Sequence, residues 1–222
     1  MNSYVSYILV FCIPFILYIN FSVKPRKGFS ILFVSLISLI LFLNQNLKIF
    51  SGIFLLIIYL LLIEKKESIL FGLSSFCLLI YSLYLENSFF TNMSFSFEIL
   101  NFLLVSSIFS SMMIGHWYLV DPTISREGMK KISLTAAFLA VLLLIIFIIY
   151  ENNFKFEILT IFSTNTFRNV IASLLASTAL LSLGSYKSLG EKSYTGVMAS
   201  TGLSYLALLL SIGASGAMIL SI

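Results

Sequence analysis

The sequence predicts an all-helical integral membrane protein, a bundle that crosses the bilayer about eight times with both termini on the exported side. The first observation is the composition: 59% of the residues are hydrophobic, only 10% are charged, and the mean hydropathy is +1.07. Soluble domains usually carry about 25% charged residues. A chain this apolar has too little polar surface to cover a globule in water, so lipid must cover it. The other two observations are recurring apolar segments and a one-sided distribution of basic residues.

Eight apolar segments near the length of a membrane helix, about 20 residues, follow one another along the chain. They cover residues 4–23, 29–43, 49–63, 69–85, 97–120, 132–150, 156–183 and 194–220. Basic residues follow the first segment rather than precede it, and no small-residue cleavage site ends it. We therefore expect a retained helix, kinked at Pro14, rather than a cleaved signal peptide. The second and third segments are short, and a re-entrant pair there would leave the orientation unchanged, because two spans would be lost together.

The basic residues indicate the orientation. If the N-terminus is exported, ten of them fall in cytoplasmic connections: Lys24, Arg26, Lys27, Lys65, Lys66, Arg126, Lys130, Lys131, Lys187 and Lys192. Two, Lys48 and Lys155, fall on the exported side, and Arg168 lies within a span. Ten against two is the bias that membrane insertion produces between cytoplasmic and exported loops.

The whole chain is predicted to form one transmembrane domain whose two parts differ in composition. Residues 1–96 are rich in Phe, Leu and Ile and should face lipid. Residues 97–222 are more polar, and small residues are frequent in the last two segments. Contact with lipid does not favour small residues, whereas close packing between helices does. We therefore expect these helices to form the packed centre.

The sequence argues against several classes of site. Nucleic-acid binding is unsupported because no basic stripe with interleaved aromatics occurs on a soluble surface. Cys12 and Cys77 fall inside apolar segments and are expected to be small buried residues, neither a disulfide nor a metal pair. No phosphate-binding or metal-binding spacing is present. The acids Glu86, Glu98, Glu151 and Glu157 fall at exported helix ends or loops, where we expect water to solvate them.

Arg168 is a basic residue inside a predicted span. Helical spacing places it on one face with Asn165, and Asn169 follows it in the chain. Burying Arg near the bilayer centre costs about 2.5–3.5 kcal/mol on insertion scales, so a functional role is one interpretation: contact with an anion, a headgroup or a carboxylate. In the alternative, the span begins near residue 165 and the guanidinium extends to the membrane surface.

His116 is the only histidine, and it stands near the end of a span in the sequence Gly-His-Trp-Tyr-Leu-Val-Asp-Pro. Trp117 and Tyr118 suit the membrane interface, and Asp121 before a proline ends the helix. An imidazole here is a candidate single haem ligand, quinone hydrogen-bond donor or proton relay. A second haem ligand would have to come from a methionine or another chain. The alternative is an interfacial residue bonded to a helix or headgroup.

Thr201 and Tyr205 add hydroxyl groups to the last span. A buried tyrosine hydroxyl needs a partner. The candidates are Arg168, Asn169 and His116, and the order of the helices decides among them. Hydrogen bonding between helices is the alternative to a ligand site.

Two resemblances concern these segments. The Gly115–Pro122 segment, the basic 125–131 segment after it and the late Thr-Gly-Leu-Ser-Tyr resemble a group of bacterial multi-span membrane proteins without an assigned activity, although Ser204 replaces an apolar residue. The resemblance makes His116, Thr201 and Tyr205 candidate site residues without naming a ligand.

The sequence Gly-Ala-Ser-Gly at 213–216 looks like the nucleophile motif of rhomboid intramembrane proteases. The match stops there, because the one histidine precedes Ser215 instead of following it.

These features favour a binding or structural subunit of a bacterial inner-membrane assembly. The expected partners are the lipid bilayer and other membrane subunits, with a quinone, haem or lipid as ligand; the sequence names no cofactor. A small-solute or lipid transporter using Arg168 is an alternative. Another is a membrane-embedded enzyme that uses His116 with Asp121.

The orientation can be tested by labelling single cysteines placed at Lys130, Lys192 and Lys155 in a chain whose native Cys12 and Cys77 are replaced by alanine. We expect a membrane-impermeant maleimide to reach position 155 in intact cells, and positions 130 and 192 only after the membrane is opened. Labelling of position 130 or 192 from outside intact cells would contradict the proposed orientation.

Overall fold

The computed structural model describes residues 2–23, 25–42, 47–62, 68–86, 95–149, 164–191 and 193–220. In these ranges the chain forms eight α-helices, α1 Asn2–Ser22, α2 Lys27–Phe42, α3 Leu47–Leu61, α4 Ser68–Glu86, α5 Phe95–Val120, α6 Arg126–Ile149, α7 Thr164–Ser188 and α8 Tyr194–Leu220. The all-helical fold class is confirmed.

Five of these helices (α1, α5, α6, α7 and α8) are long and apolar enough to cross a membrane. The helices α2, α3 and α4 contain shorter apolar stretches, and α3 has 15 residues. At 1.5 Å per residue, α3 is about 22 Å long, less than the roughly 30 Å of a hydrocarbon core. The structure therefore supports a helical membrane protein, and the count of eight spans stays a prediction.

The helix boundaries differ from the predicted spans mainly at α6 and α7. The helix α6 begins at Arg126, so most of the predicted basic loop belongs to its first turns. Charged residues do not interrupt a helix outside the hydrocarbon, and Glu127 in the first turn is favourable beside the positive end of the helix dipole. The helix α7 begins at Thr164, and its predicted start at residues 156–163 lies outside the described residues.

Contacts between helices divide the chain into two compact units. The first unit contains Met1–Thr91 and Trp117–Gly128, and the second contains Asn92–His116 and Met129–Ile222. The first therefore has α1–α4 together with the connection between α5 and α6, and the second has most of α5 to α8. The prediction of a single domain with a lipid-facing part and a packed part stays a prediction.

In the first unit each helix packs against its neighbours in the chain, and α4 also packs against α1. Along the α1–α4 contact, Leu17 meets Gly72 and Phe11 meets Phe76, so these two helices run antiparallel. Between α3 and α4, Ser75 donates a hydrogen bond to the Gly52 carbonyl at 2.7 Å. The result is an up-and-down arrangement of four helices.

A polar clamp joins three helices of the first unit at Asn20 of α1. Its amide nitrogen donates to the Tyr59 hydroxyl on α3, and its amide oxygen accepts from the Ser30 hydroxyl on α2 at 2.7 Å. Ser30 is fully buried and Tyr59 nearly so. Because hydrocarbon supplies no hydrogen-bond partner, these three side chains satisfy one another and orient the helices.

The second unit is joined by a network of buried serines, defined by Ser111 of α5, Ser133 of α6, Ser185 of α7, and Ser200 and Ser204 of α8. Hydroxyl oxygens lie 3.0 Å apart between Ser111 and Ser133, and 3.2 Å apart between Ser133 and Ser185. The Ser185 oxygen lies 2.7 Å from that of Ser200 and 3.2 Å from that of Ser204. All four helices of this unit therefore contribute a hydroxyl to one network.

The small residues of α7 and α8 have two different environments. Ala179, Ala207 and Ala214 are buried, as expected for residues at helix contacts. A Cβ atom added at Gly202 or Gly216 would meet nothing within 4 Å. The expectation that the small residues mark close packing is therefore wrong at these two glycines, because composition does not determine which way a helix face turns.

We predict that Ser185→Ala destabilises the protein by about 1 kcal/mol, because interhelical hydrogen bonds in membrane proteins average roughly 0.6 kcal/mol and Ser185 makes contacts to three serines. Unfolding in mixed detergent micelles would measure the change. Ser173→Ala is the matched control, since that exposed serine of α7 bonds only to the Val170 carbonyl of its own helix. Equal stability of both variants would contradict a stabilising network.

Candidate functional site

Asp121, a predicted site residue, is engaged by protein groups in the connection between α5 and α6. Its carboxylate accepts a hydrogen bond from the Thr123 hydroxyl at 2.5 Å and lies 3.2 Å from the Arg26 guanidinium. The Thr123 hydrogen bond, and secondarily the Arg26 charge, hold the pKa of Asp121 below its ordinary value. Both partners belong to the first unit, so Asp121 fastens this connection to the start of α2.

Trp117 and Tyr118 belong to the same connection. The Trp117 ring lies against Gly28, whose absent side chain leaves room for it, and meets the Phe29 ring edge-on at 5.9 Å. Tyr118 is buried, and its hydroxyl accepts hydrogen bonds from Arg126 at 3.2 and 2.8 Å. The Arg126 guanidinium carbon also lies 5.3 Å from the centre of the Tyr118 ring. These contacts account for Tyr118 and for the packing of the Trp117 ring, whereas the buried Trp117 Nε1 has no hydrogen-bond partner among the described residues.

His116 and Tyr205 form an exposed aromatic pair in the second unit. Their ring centres lie 5.9 Å apart, with the rings at 61° to each other. Tyr205 is 48% exposed, and His116 is also exposed. Neither ring donates or accepts a hydrogen bond within the described part of the chain. This pair presents an imidazole and a phenol at the surface between α5 and α8.

Thr201 lies behind this pair rather than in it. Its hydroxyl donates to the Val197 carbonyl of its own helix at 2.9 Å, and its side chain is buried against Gly115. Any side chain at position 115 would collide with Thr201, so this glycine allows α5 and α8 to approach closely. Thr201, a predicted site residue, therefore lies at a helix-packing position.

Arg168 and its neighbours lie at the beginning of α7. Arg168 is half-buried in the second turn, and Asn169 is exposed. Asn165 belongs to the first turn, but its side chain lies outside the described residues. A position this close to the helix start agrees with the interpretation in which the guanidinium extends to the membrane surface.

The predicted residues therefore form separate groups. Ser185 of α7 and Ser111 of α5 lie at the same height in the unit, because both contact Ser133. Arg168 precedes Ser185 by 17 residues in α7. That separation corresponds to about 25 Å along the helix axis. His116 follows Ser111 in α5 and lies slightly beyond that height. The structure therefore brings His116 together with Tyr205 and leaves Arg168 at the other end of the second unit.

A third polar group, which sequence reasoning missed, lies where α5 begins. The Ser215 hydroxyl donates to the Asn101 amide oxygen at 2.5 Å, and Glu98 stands one turn before Asn101. Glu98 is only 5% exposed, so the expectation that water solvates it is wrong. The signal was present in the sequence: Glu98 and Asn101, three residues apart, share one face of α5 among mainly apolar neighbours.

Metal-binding and thiol chemistry find no support in the described ranges, which contain no group of three His, Cys, Asp or Glu residues able to hold a metal ion. Neither Cys12 nor Cys77 forms a disulfide. Cys12 is buried as expected, whereas Cys77 is exposed, which contradicts the expectation for that residue.

No family model, no curated protein and no solved structure matches this chain.

We predict that Asp121→Asn lowers stability at neutral pH and flattens the loss of stability on acidification. Because folding lowers the pKa of Asp121, its contribution is complete above the ordinary carboxyl pKa of 3.8 and disappears as the pH falls through the lowered value. Unfolding in mixed micelles, measured from neutral pH to about pH 3, would show this difference.

Two partner variants sharpen that test. Thr123→Val should reduce the pH-dependent component more than Arg26→Gln, since the hydroxyl is the stronger influence and Arg26 is 78% exposed. The Arg26 effect should also shrink in high salt. A pH slope in Asp121→Asn identical to that of the wild type would show that Asp121 does not contribute.

Proposed function

We propose that this protein is a binding subunit of a bacterial inner-membrane assembly, with eight spans and both termini exported, and that its ligand is of the quinone class. The His116–Tyr205 pair is the observation that carries this proposal. It combines two hydrogen-bonding rings, exposure at a helix surface and proximity to a predicted membrane interface.

The proposed topology has two supports. Basic residues favour the cytoplasmic connections by ten to two. Pairs of contacts also show that α1 and α4 run antiparallel, and that α5 and α8 do, since Asn101 meets Ser215 and Gly115 meets Thr201. An alternating path of this kind is what a chain crossing the bilayer at every helix requires. The bacterial location rests on the same charge bias and on the sequence resemblance.

The chemistry of the pair favours a ligand with acceptor oxygens. The imidazole N–H and the phenol O–H are donors, and in an apolar environment each needs a partner. Quinone carbonyls accept such bonds, while the rings of the pair provide apolar contact. The exposed apolar faces of α6 and α8, which include Phe138, Ile145, Leu206 and Leu209, would be covered by lipid or by another membrane subunit.

An enzyme that uses His116 with Asp121 is less well supported. The Asp121 carboxylate is already bonded to Thr123 and Arg26, so it is not available to orient the imidazole. The transporter alternative has Arg168 as its anchor, and a position in the second turn of α7 does not require such a role.

We predict that gently purified protein retains a quinone, detected by mass analysis of an organic extract, and that Tyr205→Phe reduces the amount about fivefold. One hydrogen bond contributes roughly 1 kcal/mol, and 1.4 kcal/mol corresponds to a tenfold change in affinity. His116→Ala should reduce retention at least as much, because it removes both a donor and a ring contact.

Tyr194→Phe provides the matched control, because Tyr194 is also on α8 and is 47% exposed. It should retain ligand at the wild-type level. A visible haem absorption band that disappears in His116→Ala would identify haem instead. Absence of bound quinone in the wild type, or equal retention in wild type and His116→Ala, would refute the proposal.

A further inference from the structure

Glu98 is a buried carboxylate inside a membrane-length helix, and it has no partner among the described residues. It stands in the first turn of α5, within the stretch Phe97–Val120 that is long and apolar enough to cross a membrane. The residue is 5% exposed, and its Oε2 atom is buried and accepts no hydrogen bond from the part of the chain that the structure describes. An ionised carboxylate in this position must find a compensating positive charge or lose its own, because an unpaired buried charge costs several kcal/mol.

Asn101 and Ser215 place further side-chain oxygens one helical turn from Glu98. Asn101 lies one turn further along α5 and is buried, and its amide oxygen accepts from the buried Ser215 of α8. Residues three apart on a helix face the same side, so the carboxylate and the amide are neighbours. A carboxylate, an amide oxygen and a hydroxyl are the oxygen ligands that hard cations take.

Protein charges do not compensate Glu98 within the described residues. The helix α8 contains no ionisable acid or base opposite this end of α5, and the outer half of α6, residues 138–149, contains none either. Among the described residues of these two helix segments no charge opposes the carboxylate, and a cation from solution would supply one.

We infer that Glu98, with Asn101 and Ser215 beside it, binds a small monovalent cation, either a sodium ion or a proton. The site is separate from the His116–Tyr205 pair, because it occupies the opposite ends of α5 and α8. It does not depend on the proposed function, and a membrane protein that binds a quinone and one that does not would both contain it.

The test uses the reaction of a hydrophobic carbodiimide with carboxylic acids, which proceeds only from the protonated form. The full-length protein in detergent is treated and digested, and the modified residues are identified by mass spectrometry. We expect Glu98 to be modified several-fold faster than the exposed Glu127 and Glu191, and faster still as the pH is lowered from about 8 to about 5. Glu98→Gln should abolish the corresponding modified peptide.

Two arms distinguish the cations at fixed pH and ionic strength. If sodium binds, sodium chloride will slow the modification of Glu98 relative to choline chloride, and Asn101→Leu or Ser215→Ala will remove that protection. Ser211→Ala is the matched control, because this buried serine of α8 bonds only to the Leu208 carbonyl of its own helix. Modification that depends on pH and is indifferent to sodium assigns the site to a proton.

The result that would overturn the inference needs no variant and therefore does not depend on any variant folding. If Glu98 in the wild-type protein, in choline chloride without sodium, is modified no faster than Glu127 at any pH, its carboxylate is solvated and ionised like a surface acid. In that case no cation is held at this position.

Discussion

Hydrocarbon offers no hydrogen-bond partners, and this constraint determines where the polar side chains of the protein lie. A polar group on a membrane helix must bond to its own backbone, to another helix, to a ligand or to the membrane surface. The serine network of the second unit meets this condition with hydroxyls from four helices, and Asn20 meets it in the first unit with partners on two others. These bonds restrict how each helix can rotate about its axis, which an apolar surface alone does not do.

Candidate functional groups are found among the polar side chains for which the described part of the protein supplies no hydrogen-bond partner. His116 and Tyr205 are exposed and bond to no protein group in the described chain, and Glu98 is buried with an oxygen that accepts no bond. The first pair is suited to donating hydrogen bonds to a ligand with carbonyl oxygens. The carboxylate is suited to holding a cation. Tyr118 and Asp121 differ from both, because the protein itself supplies their hydrogen bonds, and together with the packed Trp117 ring they hold the connection between α5 and α6 in place.

The two units use similar means to reach similar arrangements. Each contains four helices that follow an up-and-down path, and in each the last helix returns to the first, through the α4–α1 contact in one and the α5–α8 contact at Asn101–Ser215 in the other. Glycines permit the close approaches, Gly52 against Leu79 in the first unit and Gly115 against Thr201 in the second. The first unit relies on large apolar side chains with one polar clamp, whereas the second distributes hydroxyls over all its helices.

By itself the sequence determined the helical fold class and the approximate positions of the helices, because hydropathy is a local property that each segment carries alone. It also pointed to His116 and Tyr205, since polar residues in apolar segments are conspicuous. Only the tertiary structure decided which residues meet: Asp121 with Arg26, Asn20 with Tyr59, and Ser215 with Asn101, pairs that lie far apart in the chain. It also decided that Glu98 is buried and that Gly202 is exposed. Such outcomes depend on the order of the helices and on the rotation of each about its axis, and the pattern within one helix does not contain that information.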